Sequence, residues 1–203
     1  MIDRDWRKCS QEAGRRASVA LAALTAAACA SHRVLVPPQL SLVPYGSVGL
    51  VTFTVENAKG PLGDLATRRF EEYMLAAQKG IEVQEFPASD SSAALGGARA
   101  VPVVFLGHLK VSNVKPSGGV LGVLGAHIEA TVSAELSVQL RSTKSGGTLW
   151  RASSTATEKV GELVLAGGVP EFSARDPQEA YGHLIDRLVY SVTWDMRSTW
   201  VKQ

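Results

Sequence analysis

The clearest pattern in the chain is a strict alternation of apolar and polar residues from His127 to Arg141, HIEATVSAELSVQLR. Every even-numbered position in this stretch is apolar and every odd-numbered position is polar. Successive side chains of a strand point to opposite faces, so the pattern predicts one long strand with a core face and a solvent face. A shift of one residue would expose the whole apolar face, and this fixes the register.

Four further segments are predicted strands because they are rich in β-branched or alternating apolar residues. They are Val48–Val55, Ile81–Phe86, Val101–Ser112 and, after a turn at Lys144–Gly147, Thr148–Glu158. The segment that starts at Val101 is apolar on both faces at its beginning, which predicts a central place in the sheet. The turn makes the last segment the antiparallel partner of the long strand, so the sheet has about five strands.

Two segments repeat apolar residues at three- and four-residue steps, the spacing of an amphipathic helix. The first starts at Leu62, with Pro61 suited to the first helical position and Gly80 to the cap after its end. The second follows Asp176, a capping residue, and Pro177. Its wide apolar stripe, which must lie on the sheet, consists of Ala180, Tyr181, Leu184, Ile185, Leu188, Val189, Val192 and Met196.

The elements follow in the order strand, helix, strand, strand, long hairpin, helix. One sheet with two amphipathic helices predicts an α/β fold, a two-layer sandwich. Its mixed, mainly antiparallel sheet of about five strands carries both helices on one face.

Charge is distributed unevenly along the 203 residues. Of the 21 basic and 19 acidic residues, five and three lie in residues 1–28, which leaves 16 of each in the rest of the chain. Nucleic-acid binding depends on excess basic charge, so we expect no nucleic-acid partner.

Residues 1–28 are typical of a secretion signal, because a basic segment ending in Arg15-Arg16 precedes a short apolar run. The run has about a dozen residues, fewer than the ~20 that a membrane-spanning helix needs. The sequence Ala26-Ala27-Ala28-Cys29 resembles the lipobox of bacterial lipoproteins, in which the cysteine thiol is acylated. The alternative is ordinary secretion, with cleavage after the alanines and Cys29 without a role.

The lipoprotein interpretation explains why a lone thiol stands at the cleavage point of a secreted chain. By resemblance to the sorting rule of that family, Ala30 after Cys29 favours the outer membrane. The chain then divides into a lipoprotein signal peptide (1–28), a Pro-rich tether (29–47) and a single α/β domain (48–203). The tether carries three prolines and one short edge strand at Val34–Val36.

Motifs for catalysis or cofactor binding are missing from the sequence. No G-x-S-x-G, H-E-x-x-H or phosphate-binding loop occurs. His108 and His127 could meet across neighbouring strands near Glu129, but no ligand pair has the usual short spacing of a metal site. We therefore favour exposed histidines on a polar sheet face, and we expect no cofactor and no enzyme activity.

Two glycine-rich segments, Pro116–Ala126 and Val160–Ser173, are predicted loops that are unusually apolar. They could fold back over the open face of the sheet. Our hypothesis is that they form a contact surface for a partner protein, another copy or the membrane. The residues predicted to bind a partner are Val120, Leu121, Leu124, Leu163, Leu165 and Phe172.

The chain resembles the superfamily of bacterial envelope lipoproteins that includes the curli secretion component (CsgG) and the penicillin-binding-protein activator (LpoB). The resembling segments are VGLVTFTVEN with LGDLATRRFEEYML, VVFLGHLKVS, and ELSVQLRSTKSGGTLWRASS ahead of the last helix. Channel-forming members carry two membrane-spanning hairpins, whose strands need ~9 to 11 alternating residues each. The two glycine-rich segments are too short for two such strands, which disfavours a pore.

The resemblance implies a non-enzymatic lipoprotein on the periplasmic face of the outer membrane. It would act in envelope assembly, secretion or regulation of wall synthesis through an envelope protein partner or self-association. The alternative is a soluble periplasmic ligand-binding protein with a pocket on the polar face of the long hairpin.

Overall fold

The computed structural model describes residues 33–58, 60–90, 101–120, 125–166, 169–174 and 176–202. The main unit comprises residues 37–198. The other unit contains two short strands, β1 (Arg33–Val36) and β10 (Thr199–Lys202), which pair antiparallel with each other.

In its described residues, the main unit combines two α-helices with an eight-stranded sheet. Its elements in chain order are β2 (Ser47–Val51), β3 (Thr54–Glu56), α1 (Leu62–Ala77), β4 (Glu82–Phe86), β5 (Val103–Val111), β6 (Lys115–Val120), β7 (Gly125–Ser142), β8 (Thr148–Ala166), β9 (Val169–Ala174) and α2 (Pro177–Val192).

The sheet is mixed and mainly antiparallel, as predicted. Its strand order is β4-β2-β5-β7-β8-β9, with β3 also paired to β5 and β6 also paired to β7. Strand β2 runs parallel to β4 and β5, and β3 runs parallel to β5, whereas the other pairs are antiparallel. The prediction of about five strands was wrong, because the sheet has eight.

One additional strand arises where the predicted strand Val48–Val55 divides into β2 and β3. The backbone nitrogen of Phe53 donates a hydrogen bond to Oγ1 of Thr67 on α1, at 2.8 Å. The nitrogen of Thr52 donates to the carbonyl of Phe86. The strand is interrupted at Phe53 because its amide bonds to helix α1 and not to a neighbouring strand.

The other additional strands replace the two predicted apolar loops. Residues 115–120 form β6, and residues 125–131 belong to β7. In the second segment, β8 continues to Ala166 and β9 follows. The prediction counted glycine and proline as loop residues, but both Pro116 and Pro170 lie in short edge strands, where a missing N–H is tolerated.

Helix α1 begins at Leu62 and α2 begins at Pro177, as predicted, and both bury their apolar stripes in one core. Helix α2 ends at Val192, however, so Met196, which was predicted in its stripe, lies in the short 3-10 turn Trp194–Met196. The side chain of Asp176 accepts a hydrogen bond from the backbone nitrogen of Gln178 and caps α2. Gly80, after α1, has a φ of +83°, the left-handed conformation that favours glycine. Members of the core include Phe70 and Met74 of α1, Leu184, Leu188 and Val192 of α2, and Phe105, Leu136, Val138 and Leu140 of the sheet.

The segment predicted as a tether also contributes to this core. Leu42 is fully buried, and its backbone nitrogen donates to Oε1 of Gln78 at 3.0 Å. On the other face of the sheet, alternate strand residues form only a small second cluster of Val51, Phe86, Val101 and Val104. Most of that second face is polar.

Candidate functional site

The region predicted to bind a partner is a four-stranded antiparallel sheet at one end of the long hairpin. It consists of β6, residues 125–131 of β7, residues 159–166 of β8, and β9. Strands β6 and β7 form one hairpin, β8 and β9 form a second, and the pairing of β7 with β8 joins them. We refer to these four strands as the distal sheet.

Helix α2 is too short to cover the whole of β7. Its 16 residues span about 24 Å, whereas the 18 residues of β7 span about 60 Å. Buried core residues of β7 therefore run from Val132 to Leu140. Ile128, on the same face by alternation, is 41% exposed. Among the described side chains, the apolar face of β7 therefore extends beyond the buried core to the partly exposed Ile128.

The pairing register places four of the six predicted partner-binding residues on this face. Leu163 of β8 pairs with Ile128 on one side and with Phe172 of β9 on the other. Two residues further along each strand, Leu165 pairs with Ala126 and Pro170, and Ala126 also pairs with Val120. The Ile128 row thus has apolar residues on three strands, with Gly118 on β6, and the neighbouring row has Val120, Ala126, Leu165 and Pro170. Leu121, Leu124 and the lipidation residue Cys29 lie outside the described residues.

A β-bulge in β8 produces this arrangement. Ala130 pairs with Gly161 and Thr131 pairs with Lys159, so Val160 is the extra residue. Before the bulge, the even-numbered residues of β8, such as Trp150 and Ala156, face the core. After the bulge, the odd-numbered residues Gly161, Leu163 and Leu165 occupy that face. The bulge therefore keeps leucines on the apolar face.

The opposite face of the distal sheet is polar and carries an ion-pair cluster. Glu129 and Glu162 are directly paired across β7 and β8. Nζ of Lys159 lies 2.8 Å from Oε1 of Glu129 and 2.6 Å from Oε2 of Glu162. The hydrogen bonds to Glu129 and then to Glu162 raise the pKa of Lys159. Lys159 thus offsets the repulsion between two carboxylates that the register holds together.

The structure does not bring together the histidines considered for a metal site. His108 pairs with Ser137 of β7, whereas His127 pairs with Gly119 and Val164 at the far end of that strand. Within the described residues there is no group of three or more His, Cys, Asp or Glu side chains that could hold a metal ion.

His108 instead belongs to a polar cluster on the open sheet face. Its Nδ1 lies 2.9 Å from Oγ1 of Thr54, and its Nε2 lies 3.2 Å from Oε2 of Glu56. Nζ of Lys110 lies 3.2 Å from Oε1 of Glu56. Hydrogen bonds from His108 and then from Lys110 hold the pKa of Glu56 below its ordinary value. A hydroxyl that contacts an imidazole, which in turn contacts a carboxylate, is the arrangement of a catalytic triad.

The surroundings of Thr54 do not favour nucleophilic catalysis. A triad also needs hydrogen-bond donors aimed at the charge that develops on the substrate oxygen. Next to Oγ1 of Thr54 lies the carbonyl oxygen of Gly107, an acceptor, at 3.3 Å. The adjoining cavity, lined by Thr54, Leu106, His108, Ser137 and Gln139 among others, has a volume of about 250 Å³. Ligand pockets usually have roughly 300–1,000 Å³.

A cluster of aromatic side chains lies on the helical side of the main unit. Tyr190 of α2 makes edge contacts with Tyr73 of α1 and with Trp194. The guanidinium of Arg197 lies 4.0 Å from the ring centroid of Tyr190 and donates to Oγ1 of Thr193. These contacts hold the two helices together and leave half of Tyr190 and Trp194 exposed. Neither helix, within the described part of the chain, is long and apolar enough to cross a membrane.

Comparison with known proteins gives only weak similarities. No family model matches the chain, and no protein of curated function matches it. Among solved structures, a PelC dodecamer from Paraburkholderia phytofirmans is 15% identical, with 82% of this chain and 97% of that chain covered and a TM-score of 0.46.

Two further solved structures are bacterial lipoproteins. One, from Neisseria meningitidis, is 14% identical, with 73% and 98% of the two chains covered and a TM-score of 0.41. The LpoB C-terminal domain from Salmonella enterica is 16% identical, with 60% and 84% covered and a TM-score of 0.35. Similarities at this level establish neither a shared family nor a shared function.

Proposed function

We propose that this protein is a non-enzymatic lipoprotein of the bacterial envelope, anchored through Cys29, that acts through protein–protein contacts of its distal sheet. It would serve envelope assembly, secretion or the regulation of wall synthesis. The observation that carries the proposal is the apolar face of the distal sheet, which extends beyond the helix that covers the rest of β7.

The composition of this face supports a contact role. Soluble monomers rarely expose contiguous apolar patches larger than a few hundred Å², and larger ones commonly mark binding sites. Ile128 is 41% exposed, and the register pairs it with Leu163 on β8. A partner sheet, from another copy or from an envelope protein, can pack on a flat apolar face of this kind.

The first experiment tests the face as a partner surface. Replacing Leu163 and Leu165 with serine should abolish capture of the envelope partner, while the variant keeps the far-UV circular dichroism spectrum of the wild type. The matched control is Leu149→Ser, because Leu149 also lies in β8 and is 48% exposed but stands outside the distal sheet. Unfolding of the double variant, or equal loss of capture in the control, would contradict the proposal.

The second experiment tests the anchor. The wild-type chain should incorporate labelled palmitate, and Cys29→Ala should not. Absence of label on the wild type would refute the lipoprotein assignment and favour ordinary secretion. Cys29 is far in sequence from the distal sheet, so the outcome of the palmitate labelling does not determine the outcome of the partner experiment.

A soluble periplasmic ligand-binding protein is the second candidate function. The observation in its favour is the cavity beside His108 on the polar sheet face. This function predicts that the chain is released on secretion and that a small ligand raises its thermal midpoint. Loss of that ligand-induced shift in His108→Ala would support it.

A further inference from the structure

The two-stranded sheet of β1 and β10 exposes an unusual amount of apolar surface. Its register pairs Arg33 with Lys202, Val34 with Val201, Leu35 with Trp200, and Val36 with Thr199. All four residues of β1 are exposed, and Leu35 and Trp200 are 49% and 65% exposed. An isolated two-stranded sheet is at best marginally stable in water. We therefore expect a further contact to cover this β1–β10 ribbon.

The composition of one ribbon face matches a membrane surface. Because side chains alternate, Arg33, Leu35, Trp200 and Lys202 share a face. Tryptophan is enriched at the boundary between headgroups and hydrocarbon, where its ring is apolar and its N–H reaches water. Lysine and arginine are attracted to anionic headgroups while their stems lie along apolar surface. The two strands contain no acidic residue.

The position of the ribbon in the chain also favours contact with a membrane surface. Three residues separate Arg33 from Cys29, and the four residue-to-residue steps between them reach at most about 14 Å. The headgroup layer on each side of the hydrocarbon is roughly 5–8 Å thick. With Cys29 acylated, the start of β1 is therefore confined to the membrane surface or just above it.

We propose that the Leu35–Trp200 face of the β1–β10 ribbon lies on the anionic surface of the membrane in which Cys29 is anchored. The ribbon is then a second attachment to the membrane, in addition to the acyl anchor. This inference rests on the proposed acylation of Cys29, and palmitate labelling tests that premise separately.

Fluorescence quenching tests the proposal on the purified acylated protein. The protein is reconstituted in vesicles of phosphatidylethanolamine and phosphatidylglycerol whose acyl chains carry bromine close to the headgroup. Tryptophan emission should be quenched in the wild type and in Trp194→Phe, and the quenching should be lost in Trp200→Phe. Trp194 is the matched control because it is 50% exposed.

Charge substitutions and lipid composition supply the second measurement. Each basic residue near an anionic surface changes the ratio of bound to free ribbon about fivefold. Arg33→Ser and Lys202→Ser should each lower that ratio by this factor, measured from the bound fraction that the quenching reports, and vesicles of neutral phosphatidylcholine should likewise weaken the quenching.

Three results would overturn the proposal on a chain that does incorporate palmitate. One is quenching that persists in Trp200→Phe, and another is wild-type emission that bromine does not quench. The third is energy transfer between two labelled copies that Leu35→Ser abolishes, because this would make a second copy the occupant of the ribbon face.

Discussion

The buried amide of Gln78 offers a direct test of how the main unit is held together. Its Oε1 accepts from the nitrogen of Leu42 at 3.0 Å. Its Nε2 donates to the carbonyl of Met196 at 2.6 Å and to the carbonyl of Leu40 at 3.1 Å. One side chain at the end of α1 therefore satisfies backbone groups from two distant segments.

Replacing Gln78 with leucine keeps the volume but removes all three hydrogen bonds. An unsatisfied buried backbone group costs roughly 1–3 kcal/mol. Leu42 and Met196 are fully buried, whereas water can reach the half-buried Leu40. At the middle of these ranges, two orphaned groups cost about 4 kcal/mol and apolar burial returns about 1.5 kcal/mol, which gives a net loss of about 2.5 kcal/mol.

Urea unfolding followed by far-UV circular dichroism measures this loss. With a slope of roughly 2 kcal/mol per molar urea, the midpoint should fall by about 1–2 M. The control is Gln178→Leu, because the side chain of Gln178 is exposed and its backbone nitrogen is the donor to the capping Asp176. The free energy of unfolding should therefore change by less than about 0.5 kcal/mol. A loss below about 1 kcal/mol for Gln78→Leu, with an unchanged slope, would refute the reasoning.

Three further predictions concern the core and its edge. Gly107→Ala should cost about 1–3 kcal/mol, measured by urea unfolding, because a Cβ there would overlap the ring of Phe53. Thr67→Val should cost about 1–3 kcal/mol in the same assay because the nitrogen of Phe53 loses its acceptor, while Thr67→Ser should retain most of the stability. Burial and then the hydrogen bond to Glu85 raise the pKa of Glu71. The folded state therefore binds its proton more tightly, so stability should fall as the pH rises through the raised pKa, and Glu85→Gln should weaken this dependence in thermal melts.

The helices and the core of the long strand could be predicted because their signals are local. The stripe of α2 and its cap at Asp176 are spacings within one segment, and the alternation from Val132 to Leu140 needs no knowledge of other elements. Both predictions agree with the structure because the apolar residues that define each pattern are the residues that the core buries.

The distal sheet could not be predicted from its own residues. Glycine and proline in β6 and β9 indicate loops, yet pairing with β7 and β8 overrides that preference at a sheet edge. The bulge at Val160 reverses the faces of the β8 residues that follow it. Alternation continued from the first half of β8 would therefore assign Leu163 and Leu165 to the polar face. The exposure of Ile128 follows from the length of α2 relative to β7, which is a tertiary property.

The pairing of β1 with β10 was missed for a related reason. The sequence predicted an edge strand at Val34–Val36, but its partner Thr199–Lys202 lies at the other end of the chain. No local pattern connects two four-residue segments across such a separation. The same limit explains why the exposed Trp200 had no assigned role in the sequence.

Site-specific photocrosslinking in intact cells tests the contact surface most directly. A photoreactive amino acid at Ile128 reports on the distal sheet, and one at Leu149 is the control of similar exposure on the same pair of strands. Our account predicts a discrete protein adduct from Ile128 and none from Leu149, with a mass that distinguishes another copy from an envelope protein. Equal adducts from both positions, or no protein adduct from Ile128, would contradict it.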